Sequence, residues 1–283
     1  MHPVLFSIGP VSVSTYGVMI AIGLLFAIML SKREGTRQGF DSKDIIDMSF
    51  WSILSGLIGA HILFAIVNFR EYLEDPVRFL TFWRGGVVWY GGLAGGIIGG
   101  GIFLKIRKMD FWKVADVVAA PLAIGLFFGR FGCLSAGCCY GKPTSFPFGI
   151  VYPEISQLAP PGITLQPSPL YECLLMLIIF FYLTIIRSRK RYNGQLFLIH
   201  LTLYSIGRFF LEMLRGDELR GSIFHLDLIK GIPGWEILST SQAVGIVLLV
   251  FALSIMWIKD KKISGQPDAG TVFRLKRMLF GGA

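Results

Sequence analysis

Gly129-Arg130-Phe131-Gly132-Cys133-Leu134-Ser135-Ala136-Gly137-Cys138-Cys139-Tyr140-Gly141 ends an apolar run with an arginine, four glycines and three cysteines, and Pro143 follows closely. Such a stretch is expected to leave plain helical geometry and form a re-entrant segment. Irregular backbone at membrane depth is tolerated only where it is buried in protein or lines a polar cavity. A charged side chain there marks a functional site by default.

The rest of the chain gives that stretch its setting. Among 283 residues, 53% are apolar and 16% charged, and the mean hydropathy is +0.63. That leaves too little polar surface for a soluble globule of this size, so the class expected is an all-α polytopic integral membrane protein. Seven apolar runs are long enough to span a bilayer: 15–31, 46–67, 86–104, 114–133, 169–186, 194–213 and 241–258. Met1 to Pro10 has neither a basic start nor a small-residue cleavage site, so the first run is expected to be retained. The expectation is one seven-helix domain over 1–260, with an outer interfacial arm at 68–84, outer loops at 141–168 and 214–240, and a basic tail at 261–283.

The formal charge of +9 raises the question of nucleic acid. Its distribution answers for a membrane instead. Eighteen of the 27 basic residues fall in four alternate segments, after runs one, three, five and seven. The positive-inside rule then places the C-terminus in the cytoplasm and the N-terminus outside. Only two basic residues remain within spans, Arg130 and Arg208.

Orientation converts position into depth. Tyr16, Tyr90, Tyr171 and Glu172 come early in runs that start outside, while Arg130, Arg208 and Glu212 come late in runs that end there. Tyr204, Arg208 and Glu212 are spaced i, i+4 and i+8, which puts them on one helical face. These groups are expected to form one pocket in the outer half of the bilayer. Arginine offers a planar fork of donors suited to phosphate, and an anion held between two of them would offset the cost of burying both. Plainer readings stand beside this one. Glu172 could serve the dipole of its own helix start, and Glu212 could simply neutralise Arg208 one turn away. The later glycines of run three fit close helix packing, whereas the earlier ones, with Gly91 and Gly92, fit a backbone that something else approaches.

Together the Tyr16-Gly17 entry, the glycine pairs around Tyr90, the Gly129 to Gly141 stretch, the element ending at Glu172, and Tyr204-x3-Arg208-x3-Glu212 with Arg215 and Asp217 resemble the prolipoprotein diacylglyceryl transferase family. The resemblance implies a multi-pass enzyme of the bacterial inner membrane with its site toward the periplasmic leaflet. It implies transfer of the diacylglyceryl group of phosphatidylglycerol to the lipobox cysteine of a prolipoprotein signal peptide, with release of glycerol phosphate. No nucleic acid, cofactor or metal is expected. The catalytic set it suggests is Arg130, Arg208, Glu212 and Tyr204. The substrate-binding set is Tyr16, Tyr90, Gly91, Gly92, Gly129, Gly132, Cys133, Cys138, Gly141, Tyr171 and Glu172.

The sequence departs from the family pattern at three places: Tyr90 stands for a usual His, Cys133 for Asn and Cys138 for Glu. Tyrosine is a poor base at neutral pH, so the proton acceptor falls to Glu212, Glu172 or a cysteine. The spacing of Cys133, Cys138 and Cys139 matches no usual zinc pattern, leaving a disulfide or tight packing of small side chains. Alternatives of other classes are a phospholipid-dependent transferase with another acceptor, a non-enzymatic lipid-binding or transport protein, and thiol–disulfide exchange.

Overall fold

The computed structural model describes residues 4–8, 11–74, 86, 88–154, 156, 158–216, 222–224 and 238–264. Eight α-helices carry the fold: α1 (Thr15–Arg37), α2 (Ser42–Val67), α3 (Phe69–Glu74), α4 (Trp89–Ile106), α5 (Phe111–Ala136), α6 (Ser168–Ile186), α7 (Gln195–Met213) and α8 (Thr240–Ser264). Three antiparallel pairs of short strands sit between them: β1 (Val4–Ile8) with β2 (Val11–Ser14), β3 (Ile150–Val151) with β4 (Thr164–Leu165), and β5 (Ser222–Phe224) with β6 (Leu238–Ser239).

Six helices are long and apolar enough to cross a membrane: α1, α2, α5, α6 with the short turn after it, α7 and α8. Their large apolar side chains face outward as well as inward, with Leu25, Leu57, Ile178, Phe210 and Val247 all exposed. A surface of that kind belongs in lipid, and the protein is a polytopic membrane protein. The third run corresponds to α4, whose 18 residues include seven glycines. Those glycines keep its composition from marking it as a span unaided.

Local chemistry explains the helix starts. Ser14 accepts from Gly17 N at 3.1 Å, Asp41 from Lys43 N at 2.9 Å and Asp110 from Lys113 N at 2.6 Å. Ser239 and Gln242 form a reciprocal capping box before α8, with bonds of 3.1 and 3.2 Å. Pro169 lies in the first turn of α6, where its missing N–H costs nothing.

Helix α5 packs on α1, α6 and α7; α2 lies between α1 and α4, and α8 lies on α7. The α2–α4 seam is made by glycines. A Cβ at Gly59 would come within 3.0 Å of Gly95 Cα, and one at Gly91 would strike the Gly59 carbonyl. What approaches Gly91 is therefore α2, a packing use like that of the later glycines.

At the end of the bundle rich in Lys and Arg, Asp116 of α5 is 1% exposed and accepts from Gly194 N, Leu196 N, Phe197 N and Lys190 Nζ at 2.9 to 3.2 Å. It caps α7 from another helix, because Gly194, at φ 94, has no side chain to do so. Glu34, Arg37 and Arg187 pair at the same end, as do Asp44 and Arg107. The basic segments that alternate in sequence thus meet in space.

One expectation about the opening stretch is corrected. The helix does not break at Gly129: α5 runs through Gly129, Arg130, Gly132 and Cys133 to Ala136, and stops where Gly137 adopts φ 74. Gly132 allows close approach instead, since a Cβ there would lie 3.1 Å from the Tyr16 ring and 3.2 Å from Met19 Cβ. Beyond it, 137–167 folds over a small core of Tyr152, Ala159 and Leu165 with Tyr140 and Ile150. Of the expected arm at 68–84, 68–74 with α3 is described, while 75–84 lies outside the described residues. Most of 214–240 and the tail from 265 also lie outside them, Asp217 included.

Candidate active site

At the end of the bundle opposite Asp116, four helices converge on two buried carboxylates. Glu172, in the first turns of α6, is 2% exposed, and Glu212, near the end of α7, is 1% exposed. Glu172 bridges both intramembrane arginines: Oε2 lies 2.8 Å from Arg130 Nε and Oε1 lies 2.8 Å from Arg208 Nη1. Arg208 Nη2 reaches Glu212 Oε2 at 2.6 Å and the Ser241 hydroxyl at 3.4 Å, and Ser241 donates to Glu212 Oε1 at 2.8 Å. Arg215 Nη1 stands 3.9 Å from Glu212 Oε2.

Among the described residues, three guanidiniums face these two carboxylates. The two arginines are not equivalent. Arg208 is 7% exposed and held by both carboxylates, whereas the Arg130 side chain is 21% exposed and pairs with one. The remaining contact of Arg130 is from Nη1 to Cys139 Sγ at 3.9 Å, a long bond that leaves donors to spare among the described residues. An anion entering the cluster therefore finds its open donors on Arg130.

Backbone ties hold the rim of the cluster together. Gly141 N donates to Gln166 O and Lys142 N to Leu214 O, each at 2.9 Å, and Gly216 N donates to Tyr140 O at 3.1 Å. Gly141 forms a strand-like bridge with Arg215, and on its other side Gln166 and Ser168 leave no room for a Cβ, which would come within 2.5 Å of Ser168 Oγ. This crossing seats Arg215 beside the turn that carries Cys138 and Cys139. The neighbouring Cys133 and Cys138 thiols hold the Cys139 thiol below its usual range, burial acts against them, and the Arg215 and Arg130 guanidiniums act with them.

Several predicted residues are brought together here: Arg130, Arg208, Glu212, Glu172 and Gly141, with Cys133 and Cys138 alongside. Tyr16 lies against Gly132 and near these cysteines. Tyr204 lies a turn deeper than Arg208, packed on the α5–α6 core and close enough to Arg130 to act on it. Gly129 faces Ile20 at ordinary contact distance. Others stand apart. The Tyr171 hydroxyl donates to Gln166 Oε1 at 2.9 Å, so it braces the loop. Tyr90 stacks edge-on with Trp89 and is exposed, and Gly91 and Gly92 belong to the α2–α4 seam. The open cleft at Val67, Asn68, Phe69 and Arg70 does not touch the arginine cluster.

Ser241, the second residue of α8, carries no signal in the sequence beyond its place at the start of an apolar run. Cys139 escaped because nothing in the sequence says which of three thiols faces Arg130.

Residues 3–258 match the family model described as prolipoprotein diacylglyceryl transferase. The chain belongs to that family. A Clostridium tetani phosphatidylglycerol–prolipoprotein diacylglyceryl transferase is 31% identical over 255 residues, covering 90% of this chain and 96% of its own length. A second Clostridium relative, from C. perfringens and bearing the same name with the number 2, is 32% identical over 270 residues, or 95% and 99% of the two chains. A Listeria innocua enzyme of that name is 33% identical over 268 residues, or 93% and 92%. Family membership thus extends over the helices that build the arginine cluster.

Proposed function

We propose that this protein transfers the diacylglyceryl group of phosphatidylglycerol to the lipobox cysteine thiol of prolipoproteins and releases glycerol phosphate. The observation that carries this reading is the sharing of Glu172 by Arg130 and Arg208, which holds two guanidiniums on one carboxylate and leaves open donors on Arg130. A phosphodiester headgroup is an anion that those donors can accept without requiring any carboxylate to leave.

Arg130 binds the phosphate directly. Arg208, gripped by Glu172 and Glu212, acts as the fixed post that aims Glu172 and hence the Arg130 guanidinium. Charge gathers on the phosphate as the glycerol carbon–oxygen bond breaks, and the guanidiniums stabilise it most at that point. Tyr16 and Tyr204 flank Arg130 from α1 and α7 and orient the lipid.

In this reading α4 is the seventh span, the N-terminus faces the periplasm and the C-terminus the cytoplasm of a bacterial inner membrane. The gathering of Glu34, Arg187, Lys190 and Arg107 at one bundle end supports that orientation. Donor lipid and signal peptide enter laterally from the outer leaflet.

Expression in cells depleted of their own diacylglyceryl transferase tests the reading. The parent chain restores lipoprotein modification and growth, and Arg130→Ala does not. A parent chain that inserts in the membrane and modifies no prolipoprotein would contradict it.

A further inference from the structure

The transferase reading leaves one requirement unmet. Its acceptor is a thiol, and a thiol attacks carbon as the thiolate. Among the described residues no histidine bonds to Arg130 or to the nearby thiols, and Tyr90 lies out on the α2–α4 seam. Glu172 and Glu212 are both committed to guanidiniums.

Beside Arg130, however, the Sγ atoms of Cys133, Cys138 and Cys139 all lie within 4.8 Å of one another. All three are free thiols; Cys133 is buried and the other two are half-buried. Backbone geometry built to bring them together follows the end of α5. Gly137 turns the chain at φ 74, and Cys139 itself adopts φ 59, a left-handed conformation that a residue with a Cβ disfavours. The linear spacing gave no metal pattern because the ligands come from a helix end and a reversed turn.

Zinc–sulfur bonds of about 2.3 Å in a tetrahedron place sulfurs about 3.8 Å apart, so the triangle needs to contract by about an ångström at most. Three protein ligands with the fourth position open is the arrangement of a catalytic zinc rather than a structural one. Three thiolates and a divalent cation carry a charge of −1, and Arg130 and Arg215 both lie close enough to Cys139 to offset it.

We propose that Cys133, Cys138 and Cys139 bind a zinc-class divalent cation whose open fourth position takes the thiol of the acceptor cysteine. The proposal deepens the transferase reading and rests on it. A thiol bound to such a cation is deprotonated at neutral pH, its proton passing to bulk water. The sulfur electron pair then forms the carbon–sulfur bond to the diacylglyceryl carbon while the carbon–oxygen bond to phosphate breaks. That bonding pair stays on the phosphate oxygen, glycerol phosphate leaves as a dianion beside Arg130, and the neutral thioether dissociates from the cation. No atom changes oxidation state, and no separate base is needed.

The test uses the full chain, purified in detergent under reducing conditions. Elemental analysis is expected to find about one zinc per chain. Cys133→Ser, Cys138→Ser and Cys139→Ser lose it, while Cys173→Ala, which removes a thiol that donates to Phe127 O and is not one of the three, retains it. Replacement with Co2+ gives a thiolate-to-cobalt charge-transfer band that shifts when a lipobox peptide is added and does not shift with its Cys-to-Ser analogue. Chelation lowers transfer at least tenfold, and zinc restores it, a readout that needs no variant to fold.

A zinc-free chain that transfers at an undiminished rate overturns the proposal and leaves the transferase reading standing. So does a native chain whose three cysteines prove, by mass spectrometry, to include a disulfide. A chain that binds cobalt and the peptide thiol yet transfers nothing from phosphatidylglycerol supports the metal site and contradicts the transferase reading.

Discussion

The Glu172 carboxylate lies 2.8 Å from Arg130 Nε, across the interface between the first turns of α6 and the last turns of α5. Its other oxygen is equally close to Arg208, so one buried acid sets the position of both intramembrane cations. Removing one partner from such a pair is costly because it strands the others in a poorly solvated place.

Glu172→Gln keeps the shape of the bridge and removes its charge. The two guanidiniums it held then repel one another across a neutral amide. Transfer is expected to fall roughly a hundredfold in kcat, the scale of losing one preorganised electrostatic group. The apparent KM for phosphatidylglycerol should move by less than about threefold, since the donors that contact lipid are still present. Steady-state transfer to a lipobox peptide measures both.

Arg130 and Arg208 should separate activity from stability. Arg208→Ala leaves Glu172 and Glu212 buried beside a cavity and is expected to destabilise the fold by about 3–5 kcal/mol. Arg130→Ala, at a position 21% exposed, should abolish transfer with a smaller loss of stability, because Glu172 keeps its pairing with Arg208. Adding Glu212→Gln to Arg208→Ala should recover part of the lost stability, because one stranded charge is gone.

Asp116→Ala tests the opposite end of the bundle. It uncaps α7 and leaves three backbone N–H groups and Lys190 without their shared acceptor. A loss of about 3 kcal/mol or more is expected, with kcat per folded molecule unaltered, since the site lies at the other end. Thermal melts together with activity normalised to folded protein check this.

Tyr152 in the outer loop gives a pH signature. Burial raises its hydroxyl to about 12. The folded-state value is thus above the unfolded one, so its contribution is fully present below pH 10 and is lost as pH rises through about 12. Tyr152→Phe should remove that alkaline limb from the loop's protection against proteolysis. It should also be neutral or slightly stabilising at pH 7, because the buried hydroxyl has no hydrogen-bond partner among the described residues.

Much of this site was legible because the membrane makes charge conspicuous. Arg130 and Arg208 stood out as the two basic residues within spans, and the i, i+4 spacing of Arg208 and Glu212 became a 2.6 Å ion pair. The resemblance to the family was likewise carried by those residues. Glu172 was ambiguous, since an acid in the first turn of a helix has a local use; only the tertiary placement of α5 and α7 gives it two arginines.

What the sequence hid was approach distance. Gly129 and Gly132 read as helix breakers, but the helix continues through both, and Gly132 lets α1 lie close against α5. Gly91 and Gly92 are expected at the site beside Tyr90, and the seam with α2 gives them a packing use that the sequence does not show. Periodicity reports which residues share a face and not what lies opposite it.

The most direct test of the arginine cluster is transfer from labelled phosphatidylglycerol to a lipobox peptide by the purified chain and its Arg130→Ala variant. The account predicts labelled thioether and released glycerol phosphate from the parent, and a loss of at least about a thousandfold in the variant, with both proteins folded to the same extent. A variant that transfers as fast as the parent would contradict it.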